Sequence, residues 1–308
     1  MTVDIVALGE PLYELNQQAD GRFQPGCGGD TSNVAIAARR LGASTAYVTR
    51  LGADSFGDAI LDTWRREGVD ASQVKRDGSA PTGLYLITHD GGGHRFSYCR
   101  AGSAASLMTP ADLPEALIAS AKYLHVSGLS QAISVGATET VAQAIAMAVG
   151  AGVRVSYDTN FRQRLWPVER AQAGVGAAAA QAEILKTSLD DALALSGLTE
   201  PDAIADWGLA LGAGAVVVTL GADGVVVATP DRRLRLAGHA VEAVDATGAG
   251  DAFTGALLAE LCRGHTLFVA ARFANAAAAL STQGYGALGA LPRRSEVKAF
   301  LQGTSAAP

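Results

Sequence analysis

The sequence is poor in cysteine. Its three cysteines, Cys27, Cys99 and Cys262, are an odd number at unrelated spacings, and no Cys-x-x-Cys pair or histidine cluster accompanies them. This is not the pattern of a disulfide framework or of a thiolate metal site. We interpret the cysteines as free thiols, which are typical of a reducing compartment.

Positive charge is also scarce. The chain carries 24 lysines and arginines against 30 aspartates and glutamates, interleaved throughout, for a formal net charge of −6. It has no basic stripe or tail that would neutralise a phosphate backbone. We therefore expect no nucleic-acid partner.

Long apolar runs are absent as well. Ala142–Val149 and Ala276–Leu280 are interrupted by polar residues or glycines, well short of the roughly 20 apolar residues that a membrane span requires. The stretch from Met1 to Gly9 has an acidic residue in a short apolar run and lacks the basic start of a signal peptide. We therefore expect no membrane segment and a cytoplasmic location.

Apolar residues are nevertheless plentiful, at 49% of 308 residues, which is enough for a sizeable core. Short β-branched runs alternate with helical stretches, as in a parallel sheet covered on both faces. The predicted strands are Asp4–Leu8, Thr45–Thr49, Tyr123–Val126, Arg154–Asp158, Glu183–Lys186, Ala215–Thr219 and Val225–Ala228. The predicted helices are Thr31–Leu41, Ser55–Glu67, one opening at Thr109, Asp251–Cys262 and Leu267–Ser281.

Two segments interrupt this alternation. Pro11–Phe23 and Thr82–Arg100 have strand-like composition without a following helix, and Asp90-Gly-Gly-Gly93 in the second predicts a hairpin. We expect lid strands, from about residues 11–25 and 82–100, over the edge where open α/β sheets bind ligands. No repeat, linker or charged block marks a second domain, so residues 1–308 are predicted to form a single domain.

A glycine-rich loop precedes one predicted helix. Thr247-Gly-Ala-Gly250 follows a short extended segment, Ala240–Val244, and leads directly into the helix that begins at Asp251. Free backbone N–H groups and the positive end of the helix dipole make such a start an anion site. Asp251 could cap the helix, or it could accept a proton from a hydroxyl that attacks a phosphoryl group. The loop alone leaves both roles open.

The loop is part of a longer motif. Asp245–Phe253 reads Asp-Ala-Thr-Gly-Ala-Gly-Asp-Ala-Phe and resembles the C-terminal signature of the ribokinase-like, or PfkB, carbohydrate kinases. Gly28-Gly-Asp-Thr-Ser-Asn33, with Arg40-Leu-Gly42, resembles their N-terminal signature. Walker A and Gly-x-Gly-x-x-Gly motifs are missing, which disfavours dinucleotide chemistry. The resemblance implies a three-layer α/β/α fold, with a mostly parallel central sheet and a small β-sheet lid.

The resemblance also implies a reaction. It makes Asp251 the base that deprotonates a sugar hydroxyl, and the amides of Gly248, Ala249 and Gly250 the anion hole for a phosphoryl group from ATP. The implied nucleotide contacts are Ser188, Thr219, Gly221, Gly224 and, beside adenine, Asn275. The turn from Gly221 to Gly224 also fits an ordinary hairpin, and Asn275 also fits a buried polar residue with a backbone partner.

The implied metal is Mg²⁺, which the phosphates of ATP require. Where the family often has Asn-x-x-Glu, this chain has Ser188 and Asp191, so Asp191 is the candidate metal residue. Asp191 also fits a first-turn charge favoured by the helix dipole. Some relatives depend on a monovalent cation near the position of Asp245, so such an ion stays open.

The sugar that accepts the phosphoryl group is inferred from further matches to this family. Gly29 and Asn33 match positions that bind sugar hydroxyls. Tyr85, Tyr98-Cys-Arg100 and Asp158-Thr-Asn160-Phe-Arg162 resemble the 2-keto-3-deoxygluconate kinases, which implies that Tyr85, Tyr98, Arg100 and Arg162 surround a sugar acid. Two guanidinium groups suit a carboxylate.

Other interpretations of these residues stay open. Tyr85 and Tyr98 also fit ordinary strand aromatics, and Arg100 a surface charge of the hairpin. Arg162 also fits a partner for Asp158 or for ATP phosphate. The alternatives for the whole protein are a kinase of fructose or another neutral sugar, and a non-catalytic sugar or nucleotide sensor. The resemblance further implies a homodimer that forms through the lid, where unpaired strand edges invite pairing.

Overall fold

The computed structural model of the protein describes residues 2–90 and 93–304. The strands are β1 (Val3–Leu8), β2 (Leu12–Gln17), β3 (Phe23–Gly28), β4 (Thr45–Val48), β5 (Arg50–Gly52), β6 (Lys75–Asp77), β7 (Leu84–Asp90), β8 (Gly93–Cys99), β9 (Ala121–Ser127), β10 (Arg154–Asp158), β11 (Ile184–Ser188), β12 (Ala215–Thr219), β13 (Val225–Ala228) and β14 (Arg233–Leu236). The helices are α1 (Asp30–Arg40), α2 (Ser55–Glu67), α3 (Glu115–Ala119), α4 (Gly128–Ala132), α5 (Val135–Gly150), α6 (Val168–Ala179), α7 (Leu189–Ser196), α8 (Pro201–Ala210), α9 (Ala249–Cys262), α10 (Leu267–Ser281) and α11 (Arg294–Thr304).

Eight strands form the main sheet, in the order β14-β13-β12-β11-β10-β9-β1-β4. The pairs from β4 to β12 are parallel, whereas β13 and β14 add antiparallel strands at one edge. Parallel neighbours need crossover connections, which the helices between them supply.

The helices cover both faces of this sheet. Val6 and Leu8 of β1 belong to a hydrophobic cluster that includes residues of α3, α5, α6, α7 and α8, whereas Ile5 belongs to a second cluster with residues of α1, α9, α10 and α11. This alternation follows from the two-residue period of a strand. Within the described ranges, no helix combines the length and the apolar character needed to cross a bilayer.

The expected three-layer α/β/α architecture is confirmed, and each predicted strand of the main sheet is present to within two residues at either end. The last strand, Arg233–Leu236, was not predicted, because its alternating Arg-Leu pattern is that of a half-exposed edge strand rather than an apolar run. The segment Ala240–Val244, expected to be extended, lies outside the described helices and strands. One expectation was wrong. Thr109 opens only a short 3₁₀ turn, Pro110–Asp112, because Pro114 separates it from α3.

A second sheet has four strands in the order β3-β2-β7-β8. Pro11–Phe23 was expected to be extended, and the chain there forms β2, a turn and the start of β3. β2 pairs in parallel with β7, and β7 and β8 form the predicted hairpin. The second sheet packs against α2, where the ring centroids of Tyr13 and Phe56 lie 4.9 Å apart.

Helix α9 packs very closely against α1, and Gly255 makes this possible. A Cβ added at Gly255 would lie 2.6 Å from the Cβ of Ala37 and 2.8 Å from the carbonyl oxygen of Val34. Gly176 of α6, in contrast, has no atom within 4 Å of its added Cβ position.

We therefore predict opposite effects for the same substitution in two helices. Gly255→Ala should lower the free energy of unfolding by about 1–3 kcal/mol through overpacking. Gly176→Ala should raise it by about 0.5–1 kcal/mol, because alanine is the better helix former where space is free. Urea denaturation of both variants checks this, and equal effects of the two changes would contradict the close packing.

Candidate active site

Three neighbouring parallel strands end in polar residues at one edge of the main sheet. Asp158 ends β10, Ser188 ends β11 and Thr219 ends β12. Lys186 of β11 lies beside the start of α9, so that helix begins at the same edge. Open α/β sheets bind their ligands at this edge.

The start of α9 is open to an anion. Gly248 is its N-cap, with φ of 79°, and a Cβ there would lie 3.0 Å from the Cα of Ala287, so glycine is required. Within the described residues, the amides of Gly248 and Gly250 have no acceptor, whereas the amide of Ala249 donates within the loop at 3.1 Å. Asp251 lies in the first turn and is not the cap.

Asp251 sits among other charged groups. Nδ2 of Asn33 donates a hydrogen bond to its Oδ2 at 2.8 Å. Burial raises the pKa of Asp251 to about 7, and the carboxylates of Asp30 and Asp158 act in the same direction. The hydrogen bond from Asn33 and the charge of Lys186 act in the opposite direction. A carboxyl group with a pKa near neutrality is suited to exchanging protons at neutral pH.

A buried ion pair lies next to this carboxyl group. Nζ of Lys186 donates to Oδ2 of Asp158 at 2.6 Å, and the two side chains are only 7% and 6% exposed. Burial alone would lower the pKa of Lys186, but Asp158, Asp251 and Asp191 raise it, so the ammonium stays charged. Lys186 was not among the site residues predicted from the sequence. The one feature of the sequence that could have marked it is a charged residue at the end of a predicted buried strand.

Asn160 links β10 to the start of α1. Its φ of 31° lies in the left-handed region, which is uncommon for a residue other than glycine. Nδ2 of Asn160 donates to Oδ2 of Asp30 at 2.8 Å, and its backbone N–H donates to Oδ1 of Asp158 at 3.3 Å. Backbone strain held by contacts on both sides is typical of functional sites.

Ser188 and Asp191 lie together at the start of α7. Oγ of Ser188 caps the helix by accepting from the backbone N–H of Asp191 at 3.1 Å. Oδ2 of Asp191 accepts from Thr159 Oγ1 at 2.8 Å and from Phe161 N–H at 3.1 Å, which leaves Oδ1 outside these bonds. In the described part of the chain, no three His, Cys, Asp or Glu side chains group to hold a metal. A Mg²⁺ ion that is also bound by phosphates needs only one or two protein carboxylates, and Asp191 could supply one.

The turn after β12 brings two glycines to the same edge. Gly221 has φ of 61° with open space around its Cβ position, whereas a Cβ at Gly224, with φ of 101°, would lie 2.1 Å from the carbonyl oxygen of Leu236. β12 and β13 are antiparallel, so the turn is a hairpin. Thr219, just before it, donates from Oγ1 to the Thr187 carbonyl at 3.3 Å.

Asn275 lines a cavity of about 500 Å³ between the end of β14 and α10. Its Nδ2 donates to the carbonyl oxygen of Ala237 at 2.8 Å. Leu236, His239 and Phe273 contribute apolar and aromatic surface to the walls. The cavity has the size and the mixed lining of a small-molecule pocket.

The second sheet meets the site at Gly29, which has φ of 108°. A Cβ there would lie 2.5 Å from the carbonyl oxygen of Glu10. The hydroxyl of Tyr85 donates to Glu14, and its ring centroid lies 5.8 Å from that of Tyr98. Tyr98 is 51% exposed and free to contact a ligand.

Arg100 is almost entirely buried, with 11% of its side chain exposed. It forms an ion pair with Glu10, which has no exposed surface and also accepts from Ser103 Oγ at 2.5 Å. Nε of Arg100 is buried and finds no hydrogen-bond partner among the described residues. The Arg100 guanidinium lies 5.9 Å from the ring centroid of Tyr98. Arg100 is thus not a surface charge.

Arg162 lies in the loop that follows β10. Its side chain is exposed and donates to the carbonyl oxygen of Phe161 at 2.8 Å. Burial raises the pKa of Asp191, and the charge of Arg162 opposes that rise. Asp158, an alternative partner considered for Arg162, is paired with a lysine instead.

Comparison with known proteins identifies the family of this chain. Residues 2–294 match the family described as pfkB family carbohydrate kinase. The chain belongs to this family. It is 34% identical to probable fructokinase-4 of Arabidopsis thaliana, over 97% of each chain. It is also 34% identical to a 2-dehydro-3-deoxygluconokinase of Thermoproteus tenax, covering 97% of this chain and 94% of that one.

The solved structure of a fructokinase with bound ATP from Xylella fastidiosa is 27% identical to this pfkB kinase. It superposes with a TM-score of 0.91 over 99% of this chain and 100% of that one. The ribokinase-like fold and the sugar-kinase class implied by the sequence are both confirmed. Which sugar this pfkB kinase phosphorylates is a separate question, since its relatives carry two different substrate names.

We predict that Asp251→Asn changes the stability of this kinase in a pH-dependent way. The fold raises the pKa of Asp251 from 3.8 to about 7, so ionising it costs stability progressively between about pH 4 and 7. The gain in unfolding free energy from Asp251→Asn should therefore be about 2 kcal/mol larger at pH 8 than at pH 5. Urea denaturation at both pH values measures it, with the exposed Asp190→Asn as control. A gain that does not vary with pH would contradict the raised proton affinity of this partly buried carboxyl group.

Proposed function

We propose that the protein is an ATP-dependent kinase of a sugar acid, which phosphorylates the terminal hydroxyl of 2-keto-3-deoxygluconate. The observation that carries the kinase chemistry is the placement of Asp251 directly after the open amides of Gly248 and Gly250. A proton acceptor and an anion site then lie within one helix turn, as phosphoryl transfer requires.

In the proposed reaction, Asp251 accepts the proton of the sugar hydroxyl. The hydroxyl oxygen forms a bond to the γ-phosphorus of ATP while the bond from that phosphorus to the β-phosphate oxygen breaks, and ADP leaves. The amides of Gly248, Ala249 and Gly250 receive the developing negative charge. For Ala249 to take part, its amide must leave the hydrogen bond that it makes within the loop.

The nucleotide is assigned to the groove from the β12–β13 turn to the cavity at Asn275. Thr219, Gly221 and Gly224 would contact ribose and phosphates, and the cavity would hold the base. The similar Xylella structure holds ATP, which supports ATP as the nucleotide. Ser188 pairs with Thr219 across β11 and β12, so Ser188 and the nearby Asp191 would lie beside the phosphates. Mg²⁺ held there with water and phosphates would neutralise charge on ATP, and Asp191 Oδ1 is outside the hydrogen bonds that occupy Oδ2.

The sugar is assigned to the space between α1 and the second sheet. Gly29 and Asn33 line it from α1, and Tyr85 and Tyr98 line it from the sheet. Arg100 supports an acidic substrate, because its buried Nε lacks a partner and a carboxylate would provide one. Arg162, exposed at the rim, is a second cation that an incoming acid could recruit.

Phosphorylation of fructose is the second candidate. One observation favours it, namely that Arg100 is already paired with a fully buried Glu10, so that the pair carries no net charge toward a ligand. The relative from Arabidopsis named as a probable fructokinase is as similar as the relative from Thermoproteus.

A homodimer that forms through the second sheet is also part of the proposal. β8 is its edge strand, and Phe96 and Tyr98 on that strand are 36% and 51% exposed. Phe23 at the opposite edge is 39% exposed. Exposed strand edges with aromatic side chains are suited to pairing with a second copy.

The base is tested by Asp251→Asn. We expect turnover to fall by at least about 100-fold, because the proton acceptor is lost, whereas ATP affinity should stay within about twofold. A coupled ADP-release assay and calorimetric nucleotide titration measure the two quantities, and the exposed Asp190→Asn is the control. Retention of a tenth or more of the wild-type activity would rule out the role.

The acceptor is tested with a sugar panel that contains 2-keto-3-deoxygluconate, fructose and other neutral sugars. The wild-type enzyme should prefer the ketodeoxy acid. The double variant Glu10→Gln/Arg100→Gln keeps the buried pair neutral, and it should lose about 100-fold in kcat/KM for the acid but less than about fivefold for neutral sugars. The exposed Arg95→Gln on the same hairpin is the matched control. Strong turnover of fructose and none of the acid would establish the second candidate.

A further inference from the structure

Lys186 is a buried cation for which the proposed reaction gives no role. Its ammonium has three N–H donors, and within the described residues its one hydrogen bond is the 2.6 Å bond to Asp158. Its Nζ lies 3.3 Å from the position that a Cβ on Gly250 would occupy. The cation therefore lies directly against the glycine that precedes Asp251.

The charges around Asp251 come from several elements. Asp30 faces it from α1 and Asp158 from β10, and both favour its protonated form. Lys186 from β11 is the cation that opposes them, with the amide of Asn33 as a neutral donor. Asp191 on α7 acts on Lys186. Without the ammonium, two carboxylates would hold a proton on Asp251 at neutral pH.

We propose that the Lys186–Asp158 ion pair is a positioning device that sets the proton affinity of Asp251. The inference rests on the proposed role of Asp251 as the base. Asp158 anchors the ammonium against Gly250, and the ammonium favours the carboxylate form of Asp251, which is the form that accepts the hydroxyl proton.

The two partners of the pair give opposite predictions. Lys186→Gln keeps a hydrogen-bond donor for Asp158 but removes the positive charge, so Asp251 should titrate roughly one pH unit higher. Asp158→Asn keeps an acceptor for Lys186 but removes a negative charge, so Asp251 should titrate lower by a similar amount. An ion pair with only a structural role would shift the titration in neither variant, or in the same direction in both.

Carbon-13 NMR of the aspartate carboxyl groups measures this in the full-length protein without nucleotide or metal, with Asp251 assigned from Asp251→Asn. The acid limb of the kcat/KM profile should move in the same directions. Lys122→Gln is the matched control, because Lys122 is also ion-paired, to Asp4 at 2.8 Å, but at the opposite edge of the sheet. It should leave the titration of Asp251 unchanged.

Breaking a buried pair can unfold a protein, so a double variant completes the test. Lys186→Gln/Asp158→Asn retains an amide–amide contact without charge, and its Asp251 should titrate between the two single variants. Shifts in the same direction in both single variants, no shift in either single variant that folds, or a double variant shifted beyond one of the single variants would overturn the inference. An active Asp251→Asn would overturn the proposed base and this inference with it, whereas an inactive Asp251→Asn with unshifted titrations would overturn the inference alone.

Discussion

The geometry of the site depends on how closely α1 and α9 approach each other. Gly255 has no side chain to separate the helices, and Ala37 fills the space that one would occupy. At this separation the amide of Asn33 reaches Asp251 at 2.8 Å, although the two residues are 218 positions apart. The first turn of α1 also carries Asp30, so the same approach places a second carboxylate near the first. The proton affinity of Asp251 is therefore partly a result of helix packing.

The buried charges of the protein are arranged as small compensated groups. Asp158 is paired with Lys186 beneath the glycine loop, and Glu10 with Arg100 beneath the second sheet. Each carboxylate would be costly to bury alone, and each pair contributes little net stability because both partners are desolvated. Such pairs are instead suited to fixing charge at defined points of a site. A buried carboxylate paired with a cation thus lies at each end of the proposed substrate pocket, with lysine as the cation at one end and arginine at the other.

Much of the fold followed from local sequence patterns. Buried parallel strands are apolar runs, which is why Val216–Val218 was recognisable, whereas Arg233–Leu236 alternates and was missed. The glycine loop was recognisable because its glycines and Asp251 are adjacent in sequence. Lys186 was not, because its partner and its position under Gly250 exist only after strands and helices assemble. Local sequence patterns cannot show which distant residues will form an ion pair. The pair of Glu10 and Arg100 could not be predicted for the same reason.

The attachment of the second sheet has a mechanical consequence. Glu10 precedes β2, Gly29 follows β3, Gly83 precedes β7 and Arg100 follows β8, so all four connections leave from the same end of the sheet. The turn between β2 and β3, residues 18–22, lies at the far end. Four covalent connections restrict movement of the sheet most strongly at this attached end and least at the opposite end. Arg100 and Glu10 lie at the attached end, so their geometry depends least on the position of the rest of the sheet.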